Sequence, residues 1–477
     1  MPGMRFPPAF LTAALLGALL GLCGLPQDWS FVSALPLAAL LLHAARADTP
    51  RQVAGRMWWG AAAYFAAQLW WLAPFLAKIF GFAPMGALAL LLFALEGAFM
   101  AAMAWLLTRL NPGTLSRVWL LAGGWVLVEA LRFLGPLAFP WPTLGYTLLP
   151  TPMIQVADLG GVMLGSVLVA ATAAALVSFW HDRRAPLILM SVAWIAAISY
   201  GVTRTPAPGP VGQALLLRTE IDSFGRASRK LTPQEQFEVQ LRLTAARRPG
   251  EVPIWFEGAL QSPALLPLAP AGGIYGVSGY PTPTNRAVAW DGARITSQND
   301  KARPVPGGEY YPLRRPLAPV WDAIERAVNI SLESVPAATD LRPLDLNGTL
   351  YGAYICYDSV FPWVARQLTR EGAQVLVNIS NDGWFVAAGT QQHEQMGRVR
   401  AIESRRWLLR SVNEGTAAVI DDLGRSRQSL SRGEGVIHAR YRLLNTQTPY
   451  QRVGDWPAVL LAIGMIGYGA ARGRRLT

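Results

Sequence analysis

The chain has 477 residues, of which 52% are hydrophobic and only 15% are charged. With a mean hydropathy of +0.27, this composition excludes an ordinary soluble domain and indicates a membrane protein long enough for more than one domain. Its two cysteines, Cys23 and Cys356, lie in regions of different character, which argues against a disulfide framework. The formal charge of +12 comes from arginines scattered at the ends of apolar runs, so no nucleic-acid partner is predicted.

Seven apolar segments come before residue 205, each near the roughly 20 residues that a membrane-spanning helix needs. They cover residues 8–25, 29–45, 57–77, 83–108, 118–134, 154–180 and 185–202. The first is interpreted as a retained helix, because no A-x-A-like cleavage site follows it. An eighth segment, residues 456–471, is short and is followed by arginines. We therefore predict an α-helical membrane bundle of about eight transmembrane helices, with seven in residues 1–204 and the last, with a cytoplasmic tail, in residues 456–477.

The distribution of basic residues predicts an orientation. With a cytoplasmic N-terminus, the inner loops and tails carry eleven arginines, whereas the short outer loops carry only Lys78 and Arg132. Positive residues concentrate on the cytoplasmic side of membrane proteins. We therefore expect the long stretch between the seventh and eighth segments to face the periplasm or its equivalent.

That stretch has the pattern of an α/β domain. Residues 205–213 are rich in proline and glycine and predict a linker, and residues 443–455 form a second linker. Between them, residues 214–442 alternate β-rich and amphipathic runs, which is typical of a sheet packed against helices. Strands are predicted at 214–218, 252–258, 351–355, 373–381 and 416–422, and helices at 231–248, 361–372 and 393–412.

Cys356 follows the strand-like run Tyr351–Ile355, which a turn separates from the next helix-like run. A thiol at such a strand-to-helix elbow is expected at an exposed rim, where it can act as a nucleophile. The alternative is that Cys356 is a small buried hydrophobic residue, as most unpaired cysteines are. The stretch by itself leaves both interpretations open.

Three charged residues elsewhere in the domain can supply what a reactive thiol needs. A thiol becomes a good nucleophile when a base removes its proton or a cation stabilises the thiolate, so Glu257 is the candidate base and Lys301 the candidate cation. Lys301 and the backbone N–H of Tyr357 can also stabilise an oxyanion. Glu309 lies in the same loop as Lys301. Taken singly, each charge is more often a solvated surface residue, and spacing along the chain does not bring them together.

Other polar residues carry weaker signals. The four histidines show no metal-ligand spacing and no glycine-rich phosphate loop is present, so neither a metal nor a cofactor is predicted. Glu96 lies inside an apolar segment, where a charge is costly, and is either functional or neutralised against a neighbouring helix. Glu129 and Arg132 lie three residues apart on a predicted helix and are expected to pair.

The order of several motifs resembles a known family. The motifs are WFEG at 255–258, NDKARPVPGGEYYP at 299–312, ICYDSVFP at 355–362 and NISNDGWF at 378–385. In this order they are similar to the Glu-Lys-Cys domain of nitrilase-like proteins. The resemblance extends to EALR at 129–132 in the apolar part. With seven apolar segments before the domain and one after it, the chain resembles the apolipoprotein N-acyltransferase family.

This resemblance implies a four-layer αββα sandwich in which Cys356 is the nucleophile, Glu257 the general base and Lys301 the stabiliser of thiolate and oxyanion. It implies that Cys356 takes an acyl chain from a membrane phospholipid as a thioester, which the N-terminal amine of a diacylated apolipoprotein then attacks. It also implies a multi-pass protein of the bacterial inner membrane, and a monomer is expected. Supporting roles are predicted for Glu309, Tyr357, Asp358, Asn381 and Trp384, and a substrate entrance for Trp255, Phe256, Gly307 and Phe385.

The chain departs from the usual pattern of that family at four single positions and in its first strand, where LLLRTEID stands in place of a usual Val-Gln-Gly-Asn. Phe256 replaces a proline, Gly307 a phenylalanine, Asp358 a glutamate and Val386 a glycine. Because the three central residues are intact, we expect an altered lid or substrate choice rather than lost chemistry. Two alternatives stay open: a membrane-anchored amidase or lipid hydrolase that uses the same triad, and a non-catalytic homologue that binds a lipid or a protein partner.

Overall fold

The computed structural model describes residues 8–24, 27–222, 231–279, 283–328 and 333–472. The chain divides into two compact units, Met1–Arg204 with Val453–Thr477 and, between them, Thr205–Arg452. The α-helices are α1 (Pro8–Leu22), α2 (Ala34–Ala45), α3 (Pro50–Gln68), α4 (Leu72–Phe80), α5 (Leu88–Leu107), α6 (Thr114–Leu131), α7 (Ala157–Trp180), α8 (Ala185–Val202), α9 (Pro233–Thr244), α10 (Ala318–Val328), α11 (Pro362–Arg370), α12 (Ala387–Ser404), α13 (Pro449–Val453) and α14 (Trp456–Ala471). The strands are β1 (Val211–Thr219), β2 (Val252–Ile254), β3 (Gly273–Gly279), β4 (Thr284–Trp290), β5 (Ile295–Asp300), β6 (Leu344–Leu346), β7 (Thr349–Ile355), β8 (Val375–Asn381), β9 (Leu408–Asn413), β10 (Ala417–Ile420), β11 (Ser426–Leu430) and β12 (Gly435–Arg442).

The first unit consists of apolar helices. Within the described ranges, four helical stretches are long and apolar enough to cross a membrane, and three more are apolar but shorter. The four are Ala83–Leu107, Thr114–Leu131, Pro152–Trp180 and Ala185–Val202, and the shorter ones are Pro8–Leu22, Ser30–Ala45 and Trp456–Ala471. The membrane bundle is therefore supported, whereas the predicted number of about eight spanning helices is not confirmed.

The third predicted segment, residues 57–77, is not one helix. α3 begins earlier, at Pro50, because the Thr49 hydroxyl accepts the backbone N–H of Gln52 at 3.3 Å and caps the first turn. α3 ends at Gln68, and α4 is a separate helix of nine residues. The cap fixes the start of α3 inside a polar stretch, which apolar content alone does not reveal.

Close approach of backbones holds the helices of this unit together. A Cβ atom on Gly17 of α1 would lie 1.8 Å from the Gly60 carbonyl oxygen of α3, so no larger residue fits there without moving the helices apart. Small residues at helix contacts are typical of membrane bundles, in which packing replaces the hydrophobic driving force.

The predicted pair of Glu129 and Arg132 is wrong, because Arg132 has a different partner. Its Nε lies 2.9 Å from Glu96 Oε2, and each of the two side chains is 4% exposed. The same guanidinium donates hydrogen bonds to three carbonyl oxygens within residues 139–142. Glu129 instead accepts the backbone N–H of Leu144 at 2.9 Å. Both side chains thus stabilise the connection between α6 and α7, which is irregular apart from two short 3₁₀ turns and has backbone groups without partners in an α-helix.

In the second unit, the strands form a sandwich. They follow one hydrogen-bonded path, β5-β4-β3-β2-β1-β9-β8-β7-β6, with β12 beside β1 and the β10–β11 hairpin beside β9. A short parallel pairing of Arg218–Thr219 with Val412–Asn413 joins the β1 half to the β9 half. The path folds back on itself, so that β4 and β5 contact β6 and β7.

Helices cover the outer faces of this sandwich. α9 contacts β1 and β12 on one half, whereas α11 contacts β7 and α12 contacts β9 on the other. The result is the layered αββα arrangement that the family resemblance implies. α9 begins in a capping box in which Thr232 and Glu235 exchange side-chain-to-backbone hydrogen bonds. The indole of Trp255, the residue after β2, donates to Thr244 Oγ1 at the end of α9 at 3.0 Å.

The predicted helix over residues 393–412 is too long. α12 ends at Ser404, where Arg405 has a left-handed φ of +46°, and the last part of the predicted helix belongs to β9. The sequence there is apolar enough to continue either pattern. Parallel pairing of β9 with β8, which buries the strand on both faces, decides in favour of the strand.

Candidate active site

Glu257 lies at the junction of the two halves of the sandwich. β2 is shorter than the predicted strand and ends at Ile254, so Glu257 lies in the turn beyond it, where Gly258 has a φ of +68°. The Glu257 side chain is 7% exposed. Its Oε2 accepts the backbone N–H of Asn381 at 2.8 Å, from the end of β8. This bond leaves Oε1 to face the other polar groups of the site.

Lys301 follows β5 and is held between two carboxylates. Its Nζ lies 2.9 Å from Glu257 Oε1 and 2.7 Å from Glu309 Oε2. Glu309 in turn accepts the backbone N–H of Val305 at 2.9 Å, which fixes its own loop. Burial acts to lower the pKa of Lys301, but the two carboxylates outweigh it and hold that pKa well above its usual range. Lys301 is therefore a permanent buried cation.

Cys356 lies at the strand-to-helix elbow, and its backbone has a strained conformation. It follows β7, begins a short 3₁₀ turn and has a φ of +48°, a left-handed value that is uncommon for a side chain with a Cβ. The residue is 3% exposed, so the predicted exposed rim is wrong. Burial raises the pKa of the thiol well above its usual range, with the charge of Glu257 acting in the same direction and Lys301 opposing it. The resting thiol is therefore protonated at neutral pH and needs a base to become a nucleophile.

Asp358 connects the segment that ends at Cys356 to the loop that carries Lys301. Its Oδ2 accepts the backbone N–H of Ile355 at 3.0 Å and that of Ala302 at 3.3 Å. Its Oδ1 accepts the backbone N–H of Arg303 at 2.7 Å. Burial raises the pKa of Asp358 to about 6, against the opposing effects of Lys301 and the three N–H donors. The supporting role predicted for Asp358 is therefore to be sought in these three hydrogen bonds, which hold the two segments together.

Behind Cys356 lies a buried polar network that the sequence did not predict. His393 Nε2 lies 3.1 Å from the Cys356 carbonyl oxygen and 2.6 Å from Ser359 Oγ, and its Nδ1 lies 3.0 Å from Asp382 Oδ1. Arg410 Nη2 lies 2.5 Å from Asp382 Oδ2. Burial alone would raise the pKa of Asp382, but Arg410 and His393 hold it below its usual range. The carboxylate stays charged and orients the imidazole.

Asn285 is a second residue that sequence reasoning missed. Its Nδ2 donates to Glu257 Oε1 at 2.6 Å and to Glu309 Oε1 at 2.9 Å, so it bridges the two carboxylates. The available signal is its place in β4, where it shares a face with the buried Ala287 and Ala289. A lone amide on an apolar strand face requires buried polar partners.

The remaining predicted residues fall into two groups. Asn381 and Tyr357 lie at the site: Asn381 donates to Glu257, and Tyr357 follows the nucleophile with its ring 5.3 Å from that of Phe361. Trp384 and Phe385 are half-buried just after β8, and the Phe385 ring lies 5.5 Å from the His393 ring.

The residues predicted to form a substrate entrance differ in their exposure to solvent. Trp255 is fully buried and Phe256 is 3% exposed, and both pack in the apolar core between α9 and the sheet, where no substrate can pass. Gly307 is exposed and has a φ of +78°. A Cβ atom there would meet nothing within 4 Å, so of these three residues only Gly307 borders open space.

No group of three or more His, Cys, Asp or Glu side chains among the described residues is placed to hold a metal ion. The site brings together a buried thiol, a carboxylate and a buried ammonium group.

Known proteins resemble this chain along nearly its whole length. Residues 16–175 match the family model described as the apolipoprotein N-acyltransferase N-terminal domain, and residues 273–448 match that of carbon-nitrogen hydrolase. Apolipoprotein N-acyltransferase from Pseudomonas putida is 30% identical over 98% of this chain and 97% of its own length. The protein of the same name from Azotobacter vinelandii is 29% identical over 98% and 96%.

Solved structures also resemble the chain. A carbon-nitrogen hydrolase from Helicobacter pylori is 15% identical, with a TM-score of 0.36, and the match covers 52% of this chain and 94% of that one. The match to the Pseudomonas putida protein spans both the apolar helices and the domain that holds Glu257, Lys301 and Cys356. The chain belongs to the apolipoprotein N-acyltransferase family.

Proposed function

We propose that this chain transfers a fatty acyl chain from a membrane phospholipid, through a thioester on Cys356, to the N-terminal amine of diacylglyceryl-cysteine in apolipoproteins. The observation that carries the proposal is the 2.9 Å contact of Lys301 Nζ with Glu257 Oε1 beside a buried thiol. The relatives named apolipoprotein N-acyltransferase support the choice of substrates. The reaction is one step in lipoprotein maturation.

In the first half-reaction, Glu257 removes the proton from the Cys356 thiol as the sulfur attacks the ester carbonyl of the phospholipid. The carbonyl oxygen becomes an oxyanion, which the Lys301 ammonium stabilises. When the tetrahedral intermediate collapses, the ester C–O bond breaks and the proton on Glu257 passes to the leaving glycerol oxygen. A lysophospholipid departs, and the acyl chain stays on Cys356 as a thioester.

In the second half-reaction, the lipoprotein amine attacks the thioester. Glu257 takes a proton from the attacking nitrogen, the C–S bond breaks, and the proton on Glu257 passes to the leaving thiolate, which restores the Cys356 thiol. A thioester reacts with an amine far more readily than the ester of the donor lipid does, so the intermediate divides one difficult step into two easier ones.

The charges of the site change in a way that suits this sequence. At rest, Lys301 is shared by the carboxylates of Glu257 and Glu309. Once Glu257 accepts a proton, its attraction for Lys301 weakens, and the ammonium is available to the new negative charge on the sulfur or the oxyanion. Glu309 and Asn285 keep Lys301 in place during this exchange.

We also propose the topology expected from the sequence. In this arrangement eight segments cross the inner membrane, residues 1–204 and 456–477 form the membrane part, and residues 214–442 form a periplasmic catalytic domain in a monomer. Eleven arginines on one predicted side against Lys78 and Arg132 on the other support it. Both substrates have acyl chains in the bilayer and head groups at its surface, so a domain on the outer face can reach both ester and amine.

The proposal is tested by intact mass of the purified full chain after incubation with phosphatidylglycerol, followed by addition of a diacylated lipopeptide. The expected result is an acyl adduct on Cys356 that disappears as N-acylated lipopeptide forms. Cys356→Ala should form neither. A Cys356→Ala protein that still acylates the lipopeptide would overturn the thioester mechanism, and release of free fatty acid in place of acylated lipopeptide would identify a hydrolase.

A further inference from the structure

Arg303 lies beside the nucleophile. It follows Lys301 by two residues, and its backbone N–H is bound by Asp358, whose other oxygen binds Ile355 at the end of β7. Its guanidinium carbon lies 5.2 Å from the ring centroid of Phe361 and 5.3 Å from that of Trp363. The side chain is therefore held over the segment that follows Cys356 rather than free in solvent.

The charge of Arg303 is unmatched. In the part of the chain that the structure describes, its guanidinium makes no ion pair and no hydrogen bond, and its Nε is buried without an acceptor. Arg303 as a whole is half-buried, whereas the fully buried Arg410 has its acceptor in Asp382. An unpaired buried donor on a charged group is costly, so a site that keeps one is suited to a ligand that brings the acceptor.

A second donor lies next to it. The Trp363 indole Nε1 is also buried and has no acceptor among the described residues. Because the Arg303 guanidinium lies over the Trp363 ring, the two N–H groups belong to adjacent side chains. Trp363 is half-buried, which leaves the pair reachable from outside.

The backbone adds to the positive potential. Trp363 lies in the first turn of α11, a helix of nine residues that begins at Pro362 without a side-chain cap. The first N–H groups of a helix carry a partial positive charge and bind anions. In α11, Pro362 has no backbone N–H and the N–H of Val364 bonds the Phe361 carbonyl oxygen at 3.1 Å, so the helix start contributes the Trp363 N–H alone. A guanidinium, an indole N–H and this backbone N–H thus occur together, and the ligand they suit is an anion with several acceptor oxygens.

We propose that Arg303 and Trp363 form the subsite for the phosphate group of the phospholipid acyl donor. This proposal rests on the proposed function, since the donor's phosphate is separated from its reacting ester by the glycerol unit only. Bound there, the phosphate directs the ester carbonyl toward Cys356. The lipoprotein acceptor has no phosphate in its diacylglyceryl group, so the subsite acts on the donor half-reaction alone.

The test compares two acyl donors on the purified full chain in mixed micelles. One is phosphatidylglycerol, and the other is p-nitrophenyl palmitate, which has no phosphate. The rate of adduct formation on Cys356 is measured by intact mass across donor concentrations for wild type, Arg303→Gln, Trp363→Phe and the control Arg342→Gln. Arg342 is a matched control because its side chain is 76% exposed and pairs only with Asp340 among the described residues.

We expect Arg303→Gln to raise the half-saturating phosphatidylglycerol concentration by roughly 10- to 100-fold, the range of a hydrogen bond to a charged group. Trp363→Phe should raise it by about 2- to 10-fold, the range of a neutral hydrogen bond. Neither should change the reaction with p-nitrophenyl palmitate, and Arg342→Gln should match wild type for both donors. Arg303→Lys keeps the charge but loses the buried Nε–H, and should lie between wild type and Arg303→Gln.

Three results would overturn the subsite. The first is an unchanged phosphatidylglycerol dependence in Arg303→Gln, and the second is an equal loss with both donors, which would indicate damage to Cys356 chemistry or to folding. The third concerns added inorganic phosphate. If phosphate inhibits wild type but not Arg303→Gln, while both proteins depend on phosphatidylglycerol concentration in the same way, the site binds free phosphate and not the donor lipid. Absence of any adduct in wild type would instead overturn the proposed function and the subsite together.

Discussion

Arg303 donates its backbone N–H to Asp358 Oδ1 at 2.7 Å, across the gap between the lysine loop and the nucleophile elbow. The other oxygen of the same carboxylate binds Ile355, the residue before Cys356. One buried side chain therefore sets the spacing between the cation and the thiol. The shorter aspartate, at a position where glutamate is usual in the family, is sufficient to reach both segments.

Replacement of Glu257 by glutamine should slow thioester formation by roughly 10²- to 10⁴-fold at neutral pH, because a positioned general base contributes about that factor. The pKa of the Cys356 thiol lies well above its usual range, so in the variant the thiolate fraction, and with it the rate, should rise about tenfold per pH unit on the alkaline side. Wild type should rise less steeply because its base acts during the attack. Single-turnover adduct formation measured against pH checks this.

The control for that experiment is Glu371→Gln, which removes an exposed carboxylate of the same unit. It should leave both the rate and its pH dependence unchanged. Equal pH slopes in wild type and Glu257→Gln would mean that Glu257 is not the base.

Lys301→Met should destabilise the catalytic unit by about 3–5 kcal/mol, because it leaves the buried carboxylate of Glu257 and the partly buried one of Glu309 without their cation. Adding Glu309→Gln to this variant should recover part of the loss, since it removes one of the two unpaired charges. Thermal unfolding of the purified proteins measures both effects. A double variant less stable than Lys301→Met would contradict the proposed charge balance.

His393 should act as a positioning residue for Cys356. His393→Gln keeps an N–H donor that can reach the Cys356 carbonyl, whereas His393→Asn is shorter and retains at most the contact with Asp382. We expect His393→Asn to lower the maximal rate of adduct formation by roughly 10-fold or more, the effect of losing one charge-supported hydrogen bond. The half-saturating lipid concentration should not change, and His393→Gln should restore most of the rate.

The comparison of the two His393 variants separates positioning from folding. If the residue only supports the core, both variants should lose thermal stability and rate in parallel. Equal rates in variants of equal stability would refute the positioning role.

Arg132→Met in the apolar unit should be strongly destabilising, because Glu96 would be left buried without its partner. Breaking a buried pair from one side costs about 3–5 kcal/mol, whereas replacing both partners by apolar residues is often nearly neutral. The double variant Arg132→Met with Glu96→Leu should therefore be more stable than Arg132→Met. Its remaining deficit measures the three hydrogen bonds to residues 139–142. Thermal unfolding of the detergent-solubilised protein is the measurement.

Sequence patterns predicted the elements whose periodicity is unambiguous. The strand that ends just before Cys356, the strand that carries Asn381 and the amphipathic helix α9 were predicted because alternation and helical periodicity are local properties. The end of α12 was missed because the residues after Ser404 fit a helix and a buried strand equally well. Pairing with β8, a strand that lies elsewhere in the sequence, selects the strand over the helix.

In the candidate site, too, local features were predicted and contacts between distant residues were not. The identities of Glu257, Lys301 and Cys356 come from short motifs, but their mutual distances depend on strands far apart in the chain. The placements of Trp255 and Phe256 in the core could not be predicted, because an aromatic residue suits a lipid entrance and an apolar core equally well. The partner of Arg132 was missed for a related reason: Glu96 lies on a different helix, and only packing brings the two together.

Glu257 and Lys301 follow strands of one half of the sandwich, whereas Cys356 follows β7 of the other half, and the pairing of Arg218–Thr219 with Val412–Asn413 connects the two halves. Neither half contains all three of Glu257, Lys301 and Cys356. On the proposed mechanism, a chain whose halves have not yet closed carries a thiol without its base and cannot form the thioester. Acylation competence would then depend on closure of the sandwich, and not on the strand-to-helix elbow alone.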